Sequence, residues 1–226
     1  VAALTARLGF WQLDRAAQKN ARHEAVASRS TLPPLTLEQL ARAPEQAVEQ
    51  VHRRVTLEGQ WLGQYSVYLD NRQQGGRPGF YLVTPLLLTR GESVLVQRGW
   101  LPRNAQDRSQ LAPVVTPEGT VRIDGRISPA LARLFEFDAA SSGPIRQNLE
   151  VAAYAQETSL PLLPLVIVQH DDDGALADGL QRRWLTAAPD VSKNYGYAAQ
   201  WFSLSALVTG LYVWFQLIQP RRRRPR

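Results

Sequence analysis

The chain has 226 residues, enough for one compact domain with appendages or at most two small domains. It contains no cysteine and no methionine, which excludes disulfides, thiolate metal centres, cysteine nucleophiles and the Cys/Met sites that suit Cu(I), so no copper is expected. The net charge of +6 is concentrated at the C-terminus, which reads RRRRPR, so the body is nearly neutral and nucleic-acid binding is not expected.

The N-terminal part of the chain is predicted to be helical. Residues 1–11, VAALTARLGFW, are mostly apolar but too short to cross a bilayer. They fit the end of a membrane span that begins before Val1, and a signal peptide would look similar. A polar helical stretch follows over 12–29, and Thr36 with Gln39 predicts a capping box that opens a short helix.

The middle of the chain switches to the two-residue period of β-strands. Predicted strands cover 53–62, 65–72, a hairpin over 80–102, 120–127 and 162–170, and the segment over 71–79 is predicted to be a turn. Short helices are predicted over 130–135 and 149–158, and the last strand ends at an acidic turn over 171–174. This pattern predicts a mainly-β domain, either a small barrel or a curved antiparallel sheet with short helices.

An uncharged stretch over 195–218 has aromatic residues clustered at both ends. As a helix it would be about 36 Å long, more than the ~30 Å hydrocarbon core of a bilayer, and aromatic belts mark membrane interfaces. We therefore predict a transmembrane helix over 194–218 rather than a buried helix of a soluble domain. The basic tail at 219–226 predicts a cytoplasmic C-terminus and a β domain on the opposite side.

No catalytic constellation is present in the sequence. The histidines His23, His52 and His170 are scattered, and no nucleophile-elbow motif occurs. The glycine-rich segment over 75–79 lacks the following helix of a phosphate loop, and the acidic turn lacks the closing glutamate of a calcium loop. We therefore predict that the protein is not an enzyme and has no small-molecule substrate.

The predicted membrane edge contains candidate binding residues, which are Trp11, Arg15, Asn194, Tyr197 and Trp201. On a helix, Asn194, Tyr197 and Trp201 share one face with the small Ala198, against which a flat porphyrin could lie. The alternative, which periodicity alone favours, is an aromatic belt with Arg15 paired to lipid headgroups.

Small polar residues within 194–218 predict close helix packing. These residues are Ser203, Ser205, Thr209 and Gly210. Because such stripes let helices approach closely, we expect this side to meet a partner helix, such as the first span. Gly210→Leu should weaken that association, as measured by recovery of the complex.

Three longer motifs occur in order along the chain. They are LGFWQLDRAAQK over 8–19, GFYLVTPLLL and GESVLVQRGWLPRN within 79–104, and NYGYAAQWF over 194–202. The middle motif is the most specific, and its structural residues are Gly79, Tyr81, Pro85, Arg98, Gly99 and Trp100. Together the motifs resemble the bacterial branch of the surfeit-locus family of cytochrome c oxidase assembly factors.

The resemblance implies two transmembrane helices that flank a periplasmic domain in the bacterial inner membrane, with the first helix truncated in this chain. The implied boundaries are 1–11 for the end of the first helix, 12–48 for a helical connector, 49–190 for the β-rich domain, 194–218 for the second helix and 219–226 for a cytoplasmic tail. The implied function is a membrane-anchored assembly factor that contacts the catalytic subunit of a haem–copper oxidase. It would assist the insertion of haem a or stabilise that subunit, and haem a would bind transiently.

Position 194 departs from the family pattern. Family members commonly carry a histidine just before the second helix, whereas this chain has Asn194. An amide is a poor iron ligand where imidazole is a usual one, so a family haem-ligand role does not transfer to Asn194. An alternative function is therefore a stably bound structural subunit of a respiratory complex, with no haem traffic.

Overall fold

The computed structural model describes residues 1–104, 106–107, 110–128, 130–131, 134, 143–170, 177–184 and 190–219. The chain divides into two compact units, one of Val1–Ala27 with Leu185–Arg226 and one of Ser28–Trp184. The predicted acidic turn over 171–174, the predicted helix over 130–135 and the basic tail lie wholly or mostly outside the described residues.

The unit Ser28–Trp184 is built on a sheet with seven strands in the described part of the chain. The strands are β1 Arg54–Trp61, β2 Val67–Gln74, β3 Arg77–Leu88, β4 Ser93–Pro102, β5 Thr120–Ser128, β6 Ile145–Arg146 and β7 Leu162–Gln169. Their order is β1-β5-β7-β4-β3-β2-β6, and β1 also pairs with β3. This extra pairing closes five strands into a small barrel, which confirms the mainly-β prediction.

The sheet is mixed rather than antiparallel. Strands β4 and β7 pair in parallel, as do β2 and β6, whereas the other pairings are antiparallel. Parallel neighbours need a long crossover, and β4 reaches β7 only after β5 and a helix. Turn signals in a sequence identify hairpins between consecutive strands, so this pairing was not predicted.

Gly59 lies at the corner where the barrel closes. It pairs with Val121 of β5 and with Leu88 of β3. A Cβ atom here would lie 2.4 Å from the carbonyl oxygen of Leu87. The absence of a side chain thus lets β1 bend towards β3, a role typical of glycine in barrel strands.

Strand β4 is buried along nearly its whole length because the unit has core on both of its faces. Val94 and Val96 belong to the cluster inside the barrel. Leu95 belongs to a second cluster, to which helix α3, Val151–Thr158, contributes Tyr154. Two-sided burial explains why Val94, Leu95 and Val96 are consecutive apolar residues rather than alternating with polar ones.

The helices of this unit are short. Among the described residues they are the 3₁₀ turns Leu37–Gln39 and Gly63–Tyr65, α2 Pro44–Glu49 and α3 Val151–Thr158. The predicted capping box is present, since the backbone N–H of Thr36 donates to the Gln39 side chain at 3.0 Å. It opens a single 3₁₀ turn because Leu40 adopts an extended conformation and is buried.

The other unit contains α1, Ala2–Ser30, as far as Ala27, and α4, Ser192–Val213, which continues as a π-helical turn over Trp214–Ile218. Within the described residues, neither of these helices nor any other has both the length and the apolar character needed to cross a membrane. Helix α1 is polar beyond Trp11, and α4 includes Gln200, Ser203, Ser205 and Thr209. The two predicted transmembrane helices are therefore not confirmed.

Candidate functional site

Helices α1 and α4 run antiparallel and pack against each other. The contacting pairs are Ala2 with Ser205, Phe10 with Phe202, and Gln12 with Asn194. A Cβ atom on Gly9 would lie 2.7 Å from the ring of Phe202, so glycine is needed for this approach. The helix pair thus has its own packed contact, and Ala16 and Ala198 are buried in the same unit.

Asn194 joins α4 to α1 through both ends of its amide. Its Oδ1 accepts a hydrogen bond from Lys19 Nζ at 2.7 Å, and its Nδ2 donates to Gln12 Oε1 at 2.8 Å. Both polar groups of the side chain are therefore used within the helix pair. This geometry gives the asparagine a helix-pairing role that the sequence did not predict.

A cleft with a volume of about 530 Å³ lies beside this contact. Its lining residues are Trp11, Gln12, Arg15, Gln18, Lys19, Lys193, Asn194 and Tyr197. We call it the cationic cleft, because Arg15, Lys19 and Lys193 are charged and no carboxylate lines it among the described residues. It brings together the predicted binding residues Trp11, Arg15, Asn194 and Tyr197, whereas Trp201 does not line it.

Two acidic residues lie near the cationic cleft, and one of them, Asp14, accepts a hydrogen bond from the lining residue Gln18 at 2.7 Å. The carboxylate of Asp190 is 3.9 Å from Lys193 Nζ. The pKa of Asp190 is lowered mainly because the Ser192 hydroxyl donates to it, and the charges of Lys193 and Lys19 lower it further. The lysines therefore already stabilise one anion here, and the local charge remains positive.

Of the four small residues on α4 that were predicted to pack against a partner helix, Ser205 contacts α1. The Ser205 hydroxyl donates to the carbonyl oxygen of Ala2 at 2.9 Å, which joins it to α1. Thr209 instead donates to the carbonyl of Ser205 in its own helix. Ser203 and Gly210 are exposed, and a Cβ atom on Gly210 would meet nothing within 4 Å.

The cationic cleft fits the carboxylates of a haem better than its iron. Its cations could pair with two propionates, and Trp11 and Tyr197 offer aromatic faces. Haem iron is held by His, Cys, Met or Tyr, and of these only Tyr197 lines the cleft among the described residues. Ala198, against which we expected a porphyrin to lie, is only 2% exposed. The described residues also contain no group of three or more His, Cys, Asp or Glu that could hold a metal ion.

The specific motif of the sequence lies on the β3–β4 hairpin of the larger unit. Tyr81 pairs with Trp100, and Gly79 lies next to the buried Trp100 ring. The Trp100 Nε1 donates to the carbonyl oxygen of Arg72 at 2.9 Å. The indole thus fixes β2 relative to β4, and Gly79 provides the space for it.

Gly99, the other glycine of the motif, lets the segment around Leu180 approach β4 closely. A Cβ atom on Gly99 would lie 2.6 Å from the Cβ of Leu180, because Gln181 forms a bridge to Trp100. Pro85 lies in β3 opposite Leu95 and is buried. Gly99 and Pro85 therefore serve the packing of the hairpin.

Arg98 is a buried cation of the same motif. It is 1% exposed, and its NH2 group lies 3.4 Å from Asp178 Oδ2. It also donates to the Thr116 hydroxyl at 2.7 Å, and its guanidinium lies 4.6 Å from the centroid of the Trp61 ring. Burial lowers the pKa of Arg98, and Asp178 opposes that shift. The side chain therefore holds two loops against the barrel, and its ion pair with Asp178 gives Arg98 a structural role.

Sequence reasoning did not single out Lys19 or Lys193 as site residues. The sequence does contain an indication of their role, because each lysine follows an aromatic residue in the direction that leads away from the apolar end of its helix. Recognising it required the antiparallel register of α1 and α4, which depends on contacts between distant parts of the chain.

Comparison with known proteins gives the family. The profile of the SURF1 family matches residues 1–206. A SURF1-like protein of Rickettsia felis is 24% identical over 213 residues, which cover 91% of this chain and 89% of the relative. The cytochrome oxidase assembly protein SHY1 of Saccharomyces cerevisiae is 30% identical over 95 residues, covering 42% of this chain and 24% of that protein.

A plant protein is similar over about half of the chain. Surfeit locus protein 1 of Arabidopsis thaliana is 30% identical over 118 residues, which cover 48% of this chain and 33% of the relative. The resemblance to the bacterial branch of the surfeit-locus family is thereby confirmed. Because the family profile covers nearly the whole chain, this protein belongs to the SURF1 family.

Proposed function

We propose that this protein is a membrane-anchored assembly factor for a haem–copper oxidase that acts by contact with the catalytic subunit. The observation that carries the proposal is the family match over residues 1–206, together with a yeast relative named as a cytochrome oxidase assembly protein. The proposal includes a bacterial inner-membrane location, with the β domain in the periplasm and the C-terminus in the cytoplasm.

The structure offers a surface suited to such contact. Large apolar side chains are exposed on α4 and its π-helical turn, including Leu207, Leu211, Tyr212 and Phe215. Exposed apolar patches of this kind mark protein or membrane contacts. In the proposed mechanism, this helix lies beside helices of the nascent catalytic subunit and stabilises it. The protein contributes no catalytic step.

The proposal assigns haem a insertion to the same complex. The Asn194 amide is engaged by Lys19 and Gln12, so the iron would be ligated by the catalytic subunit's own residues. Haem a would contact this chain transiently, at its aromatic and cationic groups. When bound, the group would supply redox chemistry to the oxidase and none to this protein.

A second candidate function is a permanent structural subunit of a respiratory complex. The use of Asn194 as a helix-pairing residue favours it, because that geometry needs no haem. The two functions differ in when the chain is bound, since a structural subunit remains in the mature enzyme and an assembly factor leaves it.

The first experiment expresses the tagged full chain in a bacterium that lacks its own SURF1-family gene. Oxidase activity and haem a content per catalytic subunit are measured in membranes. Restoration of both, with the tagged chain recovered only with immature oxidase, supports the assembly factor. Recovery with the mature, active enzyme supports the structural subunit, and failure to restore oxidase contradicts both.

The second experiment tests the haem part alone. Optical spectra are compared for the wild-type chain and Asn194→His, each co-expressed with the enzymes of haem a synthesis. Stoichiometric haem a in neither form contradicts haem carriage by this chain. Haem a in the variant alone identifies position 194 as a ligand position that this protein does not use.

A further inference from the structure

The helix pair has an apolar section and a polar section. The apolar section consists of residues 1–10 and 202–218, in which Arg7 is the one charged side chain. Leu4, Phe10, Leu207 and Tyr212 are 40% exposed or more within it. Because α1 and α4 are antiparallel, these two ranges lie at the same end of the pair. The polar section holds the cationic cleft.

Aromatic residues mark the boundary between the two sections. Trp11 is 51% exposed and Tyr197 is 55% exposed, one on each helix, and both line the cleft. Arg15 lies one turn beyond Trp11, with its guanidinium 5.5 Å from the centroid of that ring. Lys193 lies one turn beyond Tyr197. The order from apolar to aromatic to cationic is therefore the same on both helices.

This order matches the layers of a lipid bilayer. Acyl chains contact apolar side chains, tryptophan and tyrosine lie at the headgroup level, and long cations reach the phosphates. Each ammonium or guanidinium near an anionic membrane surface strengthens the binding constant about fivefold. A cleft with these groups on two helices can hold one headgroup from both sides.

We propose that the cationic cleft binds the phosphate of an anionic phospholipid. Arg15 and Lys193 would contact the phosphate, while Trp11 and Tyr197 flank the glycerol region and the apolar section contacts the acyl chains. Against the two nearby carboxylates, Asp14 and Asp190, the three cations still leave a surplus of positive charge. That surplus favours a glycerol headgroup over choline, whose ammonium would repel the lysines. The inference rests on the proposed membrane location.

The test uses the full chain in detergent and native mass spectrometry. Phosphatidylglycerol and phosphatidylcholine with identical acyl chains are titrated, and the bound fractions are compared. The test variant is Arg15→Gln with Lys193→Gln, which leaves the hydrogen bonds of Asn194 in place. The control is Arg77→Gln with Arg90→Gln, which removes the same charge from two exposed residues of the larger unit.

We expect the wild type and the control to prefer phosphatidylglycerol and the cleft variant to lose affinity for it at least about tenfold. Equal binding of both lipids by the wild type, or equal losses in control and cleft variant, would overturn the proposal. Displacement of the lipid by inorganic phosphate at the same concentration would assign the cleft to free phosphate. Displacement by metal-free protoporphyrin would assign it to porphyrin carboxylates, and both results overturn the lipid site.

The failure of this inference is separable from failure of the proposed function. The cleft variant is also placed in the strain that lacks its own SURF1-family gene, and oxidase activity is measured. A wild-type chain that restores oxidase but binds both lipids equally contradicts only the lipid site. A wild-type chain with lipid preference that fails to restore oxidase contradicts only the assembly function.

Discussion

Replacing Gly79 by alanine tests whether the tight contact between β3 and β4 stabilises the larger unit. The alanine Cβ would lie 2.3 Å from the carbonyl oxygen of Leu101 and 2.5 Å from two ring carbons of Trp100. Neither neighbour can move freely. The oxygen belongs to a paired strand, and the indole is 1% exposed and hydrogen-bonded to the carbonyl of Arg72. One methyl group must therefore displace a strand or the indole.

The expected cost follows from these two contacts. Overpacking a well-packed core by one methyl group costs about 1–3 kcal/mol. Moving the indole away from the Arg72 carbonyl leaves a buried acceptor unpaired, which costs a further ~1–3 kcal/mol. We expect the free energy of unfolding to fall by roughly 2–6 kcal/mol, a large part of the ~5–15 kcal/mol of a natural domain.

The assay is denaturant unfolding of the full chain, followed by tryptophan fluorescence. Gly63→Ala is the matched control, because its Cβ would meet only a methyl carbon of Thr116 at 3.6 Å, an ordinary contact. We expect the midpoint of Gly79→Ala to fall well below that of the control at an unchanged slope. Equal midpoints would show that the hairpin absorbs the methyl group, and the argument from close approach would then be refuted.

Three further predictions concern an ion pair and the helix pair. The pKa of Glu157 lies below its ordinary 4.5 because Arg146 donates to it, so this contribution to stability is present above pH 4.5 and is lost as the pH falls through the lowered value. Glu157→Gln should flatten that part of an acid-unfolding profile. Gly9→Ala places a Cβ against the ring of Phe202 and should speed hydrogen exchange of α1 and α4 amides, whereas unchanged exchange would contradict a tight helix contact. Asn194→Leu removes two partly exposed hydrogen bonds between α1 and α4. It should lower the free energy of opening the helix pair, measured by hydrogen exchange of the same amides, by about 1 kcal/mol.

The sequence predicted the local elements of the larger unit well, because strand periodicity and turn chemistry act over short distances. The turn predicted over 71–79 is an example in part, since Gly75 and Gly76 have positive φ and form a two-residue hairpin turn. Its predicted bounds were wrong, because β2 extends to Gln74 and β3 begins at Arg77. The closure of β1 onto β3 could not be read in this way. It depends on Gly59, whose role appears only when Leu87 is known to be its neighbour.

The candidate site was predicted in part for a similar reason. Trp11, Arg15 and Tyr197 stood out because aromatic and cationic residues next to apolar runs have a local meaning. Lys19 did not stand out, since its contribution depends on the register of two helices that are far apart in sequence. Trp201 was included because a helix face was assumed to act as a unit, whereas the cleft is formed across two helices.

The two interpretations of position 194 differ in how a side chain divides its hydrogen bonds. Asn194 uses its acceptor for Lys19 and its donor for Gln12. A neutral histidine also has one donor and one acceptor, but coordination to iron would occupy the acceptor nitrogen and leave only an N–H for α1. Histidine at this position must therefore give up the bond to Lys19 when it binds haem, whereas asparagine keeps both bonds. Haem bound by Asn194→His should accordingly be accompanied by faster exchange in α1, and haem binding without that change would contradict this account of the helix pair.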